Sequence, residues 1–73
     1  TSTEFKVLEA LWSAQGRVLS RGEILERAWG SDHHGTERTV DNFIAQLRSK
    51  LEDDPETPEH FLTVRGVGYR MVR

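Results

Sequence analysis

The chain has 73 residues, 36% of them hydrophobic, and contains no cysteine. A chain of this length forms one small domain around one core, and without cysteine it has no disulfide, no cysteine-based zinc site and no thiol nucleophile. Its apolar runs are too short for a membrane span or a secretory signal, so we expect a cytoplasmic protein with no membrane partner.

The formal net charge is −2, which argues mildly against a nucleic-acid partner, but the charge is unevenly divided along the chain. Residues 52–59 hold five of the twelve acidic residues: Glu52, Asp53, Asp54, Glu56 and Glu59. Elsewhere ten basic residues outnumber seven acidic ones. One face of the domain can therefore be basic although the whole chain is acidic.

The first predicted helix spans residues 2–15. Thr1 and Glu4 have the spacing of a capping box, in which each side chain accepts a hydrogen bond from the backbone amide of the other residue. Gly16 favours the left-handed backbone that ends many helices. Four apolar side chains fall on one face and are expected in the core: Phe5, Leu8, Leu11 and Trp12.

A short strand is predicted at residues 17–19, which are too few for a helix and too apolar for a free loop. The second predicted helix spans residues 21–29. Ser20 and Glu23 repeat the capping-box spacing at its start. Its expected core side chains share one face: Ile24, Leu25, Ala28 and Trp29.

The strongest helical pattern covers residues 37–52, after a polar loop. Pro55 and Pro58 stop this helix, because proline lacks the amide that a continuing helix needs. Two runs of aromatic and branched residues then surround two glycines, which predicts a hairpin over residues 61–73 with a flexible tip. Apolar side chains recur on one face of the third helix: Val40, Phe43, Ile44, Leu47 and Leu51.

Catalysis and metal binding have little support. Ser31, Asp32 and His33 are neighbours in one loop, whereas a nucleophile, its base and the group that orients the base must converge around a substrate. The adjacent imidazoles of His33 and His34 diverge, and no third ligand has suitable spacing. We therefore expect no enzyme activity, no cofactor and no metal.

The polar face of the third helix combines groups that match base edges with small residues that permit close approach. An ordinary solvated face explains this pattern equally well. The hairpin favours nucleic acid, because Thr63, Arg65 and Arg70 add groups that bind phosphates. The polar face comprises Arg38, Thr39, Asp41, Asn42, Ala45, Gln46, Arg48, Ser49 and Lys50.

Three motifs follow one another along the chain: Arg38-Thr39-Val40-Asp41, Leu47-Arg48-x-Lys50-Leu51 and Thr63-Val64-Arg65-Gly66-x-Gly68-Tyr69-Arg70. Together they closely resemble the winged-helix effector domain of OmpR/PhoB-type bacterial response regulators, and the resemblance covers nearly all 73 residues. It implies an α+β fold, a winged helix-turn-helix of three helices with a C-terminal hairpin wing. It also implies a short strand between helices one and two that pairs with the wing.

Relatives of this type have a four-stranded sheet before helix one and a phosphorylatable receiver domain further upstream. Neither is present in this sequence, so we expect a piece of a longer protein. Helix one then exposes a face that is normally covered, which favours self-association.

The resemblance also implies a role for each matched residue. Phosphate contacts would come from Arg38, Thr39, Arg48, Thr63 and Tyr69, with support from Arg21 and Trp29. Bases would face Asp41, Asn42, Ala45 and Gln46, and Arg65 beside Gly66 would reach the minor groove. Many relatives have basic residues where this chain has Ala45 and Gln46, so no relative's target sequence transfers directly.

The expected partners are double-stranded DNA, the missing receiver domain, RNA polymerase through the loop Ser31–Thr36, and a second copy in tandem on DNA. The alternative function is protein binding, by a winged-helix module that contacts its partner through the acidic surface.

Overall fold

Three helices and three short strands follow one another in a computed structural model that describes residues 2–30 and 36–72. Within these ranges, no helix is long and apolar enough to cross a membrane. Thr1, and with it the predicted first capping box, lies outside the described residues. The elements are α1 Ser2–Ser13, β1 Leu19–Ser20, α2 Arg21–Trp29, α3 Glu37–Leu51, β2 Phe61–Val64 and β3 Gly68–Met71.

The core forms where the three helices pack on one another and on the sheet. It receives Val7, Ala10 and Leu11 from α1 and Ala14 from the turn that follows α1. The predicted stripe was therefore wrong in part: Leu11 is buried and Leu8 packs at the edge, but Phe5 is 62% exposed and Trp12 48% exposed. Ala10 and Ala14 explain the difference, because their small side chains let the end of α1 and the turn after it approach the neighbouring elements closely.

The second and third helices bury most of the side chains predicted for them. Ile24, Leu25 and Ala28 of α2 are buried, and Ser20 and Glu23 form the predicted capping box. Val40, Ile44 and Leu47 of α3 are also buried, with Phe43 packed at the core edge. Leu51 was predicted for the core but is 54% exposed, because it occupies the last turn of α3, beyond the packed helices.

The strands form one antiparallel sheet in the order β1-β3-β2. The strand between the first two helices pairs with the hairpin, as the resemblance implies, although it spans Leu19–Ser20 rather than residues 17–19. Gly68 belongs to β3, not to a flexible tip. A Cβ atom on Gly68 would lie 2.0 Å from the carbonyl oxygen of Leu19, so a side chain there is incompatible with this close pairing.

The end of α3 is fastened to the hairpin by one buried carboxylate. Glu52 follows the helix as its C-cap, and its Oε2 accepts hydrogen bonds from the backbone N–H groups of His60 and Phe61, each at 2.8 Å. Its side chain is only 3% exposed, so Glu52 does not belong to the exposed acidic turn in which the sequence placed it. Asp53, Asp54, Glu56 and Glu59 remain on the surface of that turn.

Replacing Glu52 should therefore destabilise the fold. Glu52→Ala leaves two backbone N–H groups without their charged acceptor, one of them buried, and should lower the free energy of unfolding by about 2–3 kcal/mol. Glu56→Ala in the same turn is the matched control and should change it by less than about 0.5 kcal/mol. Urea unfolding followed by circular dichroism measures both; equal losses would contradict the role of Glu52.

The same contact makes stability depend on pH. Burial alone raises the pKa of Glu52, but hydrogen bonds from the backbone of Phe61, His60 and Glu59 outweigh it and hold the pKa below its ordinary value. A pKa that is lower in the folded than in the unfolded state adds stability that is complete above about pH 4.3 and is lost as pH falls through the folded pKa. Wild type should therefore lose stability in acid more steeply than Glu52→Gln.

Candidate nucleic-acid interface

One face of α3 is free of the core and carries polar side chains. Val40, Ile44 and Leu47 point into the protein, so the residues on the opposite side of the helix are directed outward. The exposed side chains predicted to meet DNA on this face are Arg38, Asn42, Ala45 and Gln46. The structure thus brings three residues predicted to face bases, Asn42, Ala45 and Gln46, and one predicted phosphate contact, Arg38, onto one accessible surface.

A groove of ≈ 470 Å³ lies between the start of α2, the start of α3 and the wing. Arg21 and Arg65 contribute cationic side chains, and Thr63 contributes a hydroxyl group. Gly66 lies at the tip with φ of 75°, and a Cβ atom there would meet nothing within 4 Å, so the tip is open to solvent. Two guanidinium groups and a hydroxyl around an open groove suit a phosphate backbone.

Glu37 also lines this groove, and sequence reasoning did not include it among the site residues. Its position offers a signal that could have revealed it. It is the first residue of α3, next to Arg38, and the N-terminal residues of the recognition helix are the ones that lie close to DNA in helix-turn-helix proteins. A carboxylate there opposes the attraction of phosphate by the neighbouring arginines.

Asp41 joins three elements rather than standing free for a base. Its Oδ1 accepts a hydrogen bond of 2.5 Å from the hydroxyl of Tyr69 in β3 and lies 2.9 Å from Nε of Arg21 in α2. The Asp41 carboxylate raises the pKa of the Arg21 guanidinium. The predicted phosphate contact Tyr69 and the predicted supporting residue Arg21 are therefore held by a residue predicted to face bases.

Arg48 connects α3 to the wing. Its Nε and Nη2 donate to the carbonyl oxygen of Phe61 at 3.0 and 2.8 Å, and Nη2 also donates to Oγ1 of Thr63 at 2.8 Å. The guanidinium carbon lies 5.8 Å from the centre of the Tyr69 ring. The N–H groups of Nε and Nη2 thus donate hydrogen bonds inside the protein, and the N–H groups of Nη1 are left to bind another acceptor.

Two further predicted site residues have supporting positions. The half-buried Trp29 meets Phe43 edge to face, with ring centres 5.2 Å apart, which fixes the end of α2 against α3. Oγ1 of Thr39 accepts a hydrogen bond of 3.4 Å from the backbone of Thr36 at the start of α3.

Two basic side chains that were predicted on or beside the outer face of α3 make contacts elsewhere in the structure. Lys50 was placed on the outer face of the third helix, but its Nζ lies 2.7 Å from Oε2 of Glu4 in α1. This hydrogen bond lowers the pKa of Glu4. Arg70 was expected beside the third helix, but it lines a separate cavity with Leu11 and Trp12 at the end of α1. Because successive side chains of a strand point to opposite faces of the sheet, Tyr69 contacts α3 whereas Arg70 lies on the opposite face of the sheet.

The described residues contain no group of three acidic, histidine or cysteine side chains that could hold a metal ion. His33 and His34, together with most of the loop predicted to contact RNA polymerase, lie outside the described residues.

Comparison with known proteins identifies the family. The family described as "Transcriptional regulatory protein, C terminal" matches residues 1–71 of the chain. The chain belongs to this family. Among solved structures, the Thermotoga maritima response regulator DrrB, an OmpR/PhoB homologue, has a TM-score of 0.89 and 34% identity, covering 100% of this chain and 33% of DrrB. The resemblance stated from the sequence motifs, and the winged-helix fold it implied, are therefore confirmed.

Relatives with known names are much longer than this chain. The sensory transduction protein RegX3 of Mycolicibacterium smegmatis is 48% identical over 68 residues, which cover 93% of this chain and 30% of RegX3. The chain thus spans about a third of this relative. The AdeR DNA-binding domain, solved in complex with an intercistronic region, has a TM-score of 0.81 and 37% identity, covering 100% of this chain and 71% of that one.

The Asp41 contact has a spectroscopic signature, because Tyr69 is the one tyrosine of the chain. Burial raises the pKa of Tyr69, Asp41 raises it further, and Arg21 lowers it. Absorbance titration of the phenol should therefore give a midpoint above about 10 in wild type. Asp41→Asn should move the midpoint down and Arg21→Ala should move it up. A midpoint that Asp41→Asn leaves unchanged would show that the contact is absent in solution.

Proposed function

We propose that this chain binds double-stranded DNA sequence-specifically, as the output domain of a two-component response regulator that controls transcription. The supporting observation is the exposed polar face of α3 beside an open groove with Arg21 and Arg65 at the wing. An exposed helix reads bases in the major groove, and the wing is suited to the adjacent minor groove. Family membership and the DNA complexes of AdeR and of the Klebsiella pneumoniae RstA DNA-binding domain support the proposal.

The proposed phosphate contacts are Arg38 and Thr39 at the start of α3, Arg48 and Thr63 where α3 meets the wing, and Tyr69 in β3. Arg48 can bind a phosphate through Nη1 while its other N–H groups hold the wing. Arg21 and Trp29 support these contacts from α2. Asn42, Ala45 and Gln46 are the proposed base-facing residues, and Arg65 beside Gly66 is proposed for the minor groove.

The proposed role requires no catalytic step and no cofactor. The chain would act in the cytoplasm, because the named relatives come from bacteria, whose DNA lies in the cytoplasm. We also propose that a receiver domain precedes it, as the greater length of RegX3 supports, and that the loop Ser31–Thr36 contacts RNA polymerase.

A salt series on duplex DNA tests the main proposal. Neutralised phosphates release counterions, so about four arginine contacts, from Arg21, Arg38, Arg48 and Arg65, should give a slope of log K against log salt of about −3 to −4. Fluorescence anisotropy measures it. Binding that is absent at low salt, or that does not change with salt, would overturn the proposal and favour the alternative, a protein-binding module with an acidic surface.

Base reading and phosphate binding should separate on α3. Gln46→Ala should cost about 1–3 kcal/mol at the best site and relax the preference at one base pair. Arg38→Ala should weaken all sequences about equally and reduce the salt slope by about 1. A panel of single-base variants decides between these roles, and equal losses across the panel for both variants would contradict them.

The wing should prefer a narrow, A·T-rich minor groove, since its strong negative potential attracts a guanidinium group such as that of Arg65. Changing the flanking A·T pairs to G·C should weaken wild type and leave Arg65→Ala almost unaffected. If Arg65→Ala keeps the full dependence on the flank, another residue reads it.

One helix and one wing cover few base pairs, so we propose that two copies bind in tandem. Direct half-sites about 10–11 base pairs apart place both recognition helices on one side of the duplex. Head-to-tail contact pairs two different surfaces, and the exposed acidic turn with Asp53, Asp54 and Glu56 would meet a basic patch such as Arg17, Arg21 or Arg27 on the neighbouring copy.

A spacing series tests the tandem arrangement in the protein with its receiver domain. Cooperativity should be highest on direct repeats one helical turn apart and should fall when Asp53, Asp54 and Glu56 are neutralised. Equal cooperativity on inverted half-sites would contradict the head-to-tail arrangement.

A further inference from the structure

Asp41 lies where α2, α3 and the wing meet. Its Oδ1 holds two donors at once, the Tyr69 hydroxyl at 2.5 Å and Nε of Arg21 at 2.9 Å. The Asp41 side chain is 35% exposed and that of Arg21 44%, so the cluster borders solvent while its polar atoms face one another. Arg21 also lines the groove beside the wing.

We propose that Asp41 is a positioning residue that fixes Arg21 and Tyr69 for contact with the DNA backbone and does not itself read a base. The inference rests on the proposed DNA-binding function. The backbone brings Arg21 and Tyr69 near each other, because Ser20 and Gly68, the residues that precede them, are paired between β1 and β3. Arg21 also acts directly on Tyr69, whose pKa it lowers. The Asp41 carboxylate adds an acceptor that both side chains share, and charge-assisted hydrogen bonds fix orientation better than neutral ones.

The positioning role makes a prediction opposite in sign to simple electrostatics. A carboxylate near DNA repels phosphates, so removing it should by itself tighten binding. If Asp41 instead holds Arg21 and Tyr69, removing it releases two groups that contact the backbone, and binding should weaken. Glu37 provides the matched control, because it is an exposed acid in the first turn of the same helix and borders the same groove.

The experiment compares dissociation constants of wild type, Asp41→Ala and Glu37→Ala on one DNA duplex at two salt concentrations. Asp41→Ala should weaken binding by about 10-fold, whereas Glu37→Ala should tighten it. In a background of Arg21→Ala with Tyr69→Phe, Asp41→Ala should no longer weaken binding, because both groups it holds are gone. Thermal unfolding of each variant confirms that it is folded.

Each outcome decides the inference. Tighter binding by Asp41→Ala, or a loss that persists in the double-mutant background, would overturn it. If Asp41→Ala unfolds, Asp41→Asn decides in its place, because the amide keeps an acceptor oxygen without the charge: weaker binding than wild type supports the inference, and equal or tighter binding overturns it. Wild type that does not bind DNA would overturn the proposed function itself.

Discussion

The orientation of the exposed face of α3 depends on how this helix is joined to the edge of the sheet. A helix cannot share a backbone ladder with a strand, so the link is made by side chains. Both backbone groups of Phe61, at the start of β2, are bound by side chains of this kind. Glu52 accepts a hydrogen bond from the N–H group, and Arg48 donates one to the carbonyl oxygen. Two charged side chains of opposite sign thus cover an edge strand that would otherwise leave its backbone unpaired.

Further links fix the direction of the helix as well as its end. Asp41 holds Tyr69 near the start of α3, and Arg48 reaches Thr63 of the wing. Because these contacts lie at well-separated points along α3, they fix the exposed face of α3 relative to the two strands of the wing. A target that contacts both α3 and the wing then binds without the loss of entropy that ordering one element relative to the other would require.

The sequence predicts the elements well because their signals are local. The Ser20 and Glu23 capping box and the period of Val40, Ile44 and Leu47 are visible within one or two helical turns. Where tertiary contacts decide, prediction failed. Phe5 and Trp12 have helical spacing but lie outside the packed face of α1, and the links from Lys50 to Glu4 and from Arg48 to Phe61 span more than ten residues. The motifs located the candidate site, but not which of its charged groups are engaged within the protein.

One face of α3 is buried and the other is exposed, and this separation affects how such a domain can diverge. Val40, Ile44 and Leu47 maintain the fold, whereas Asn42, Ala45 and Gln46 are exposed. Exposed substitutions usually change folding free energy by less than about 0.5 kcal/mol. Duplicated copies of this domain can therefore exchange these three side chains one at a time while each intermediate stays folded, and under the proposed function a new DNA preference would then arise gradually.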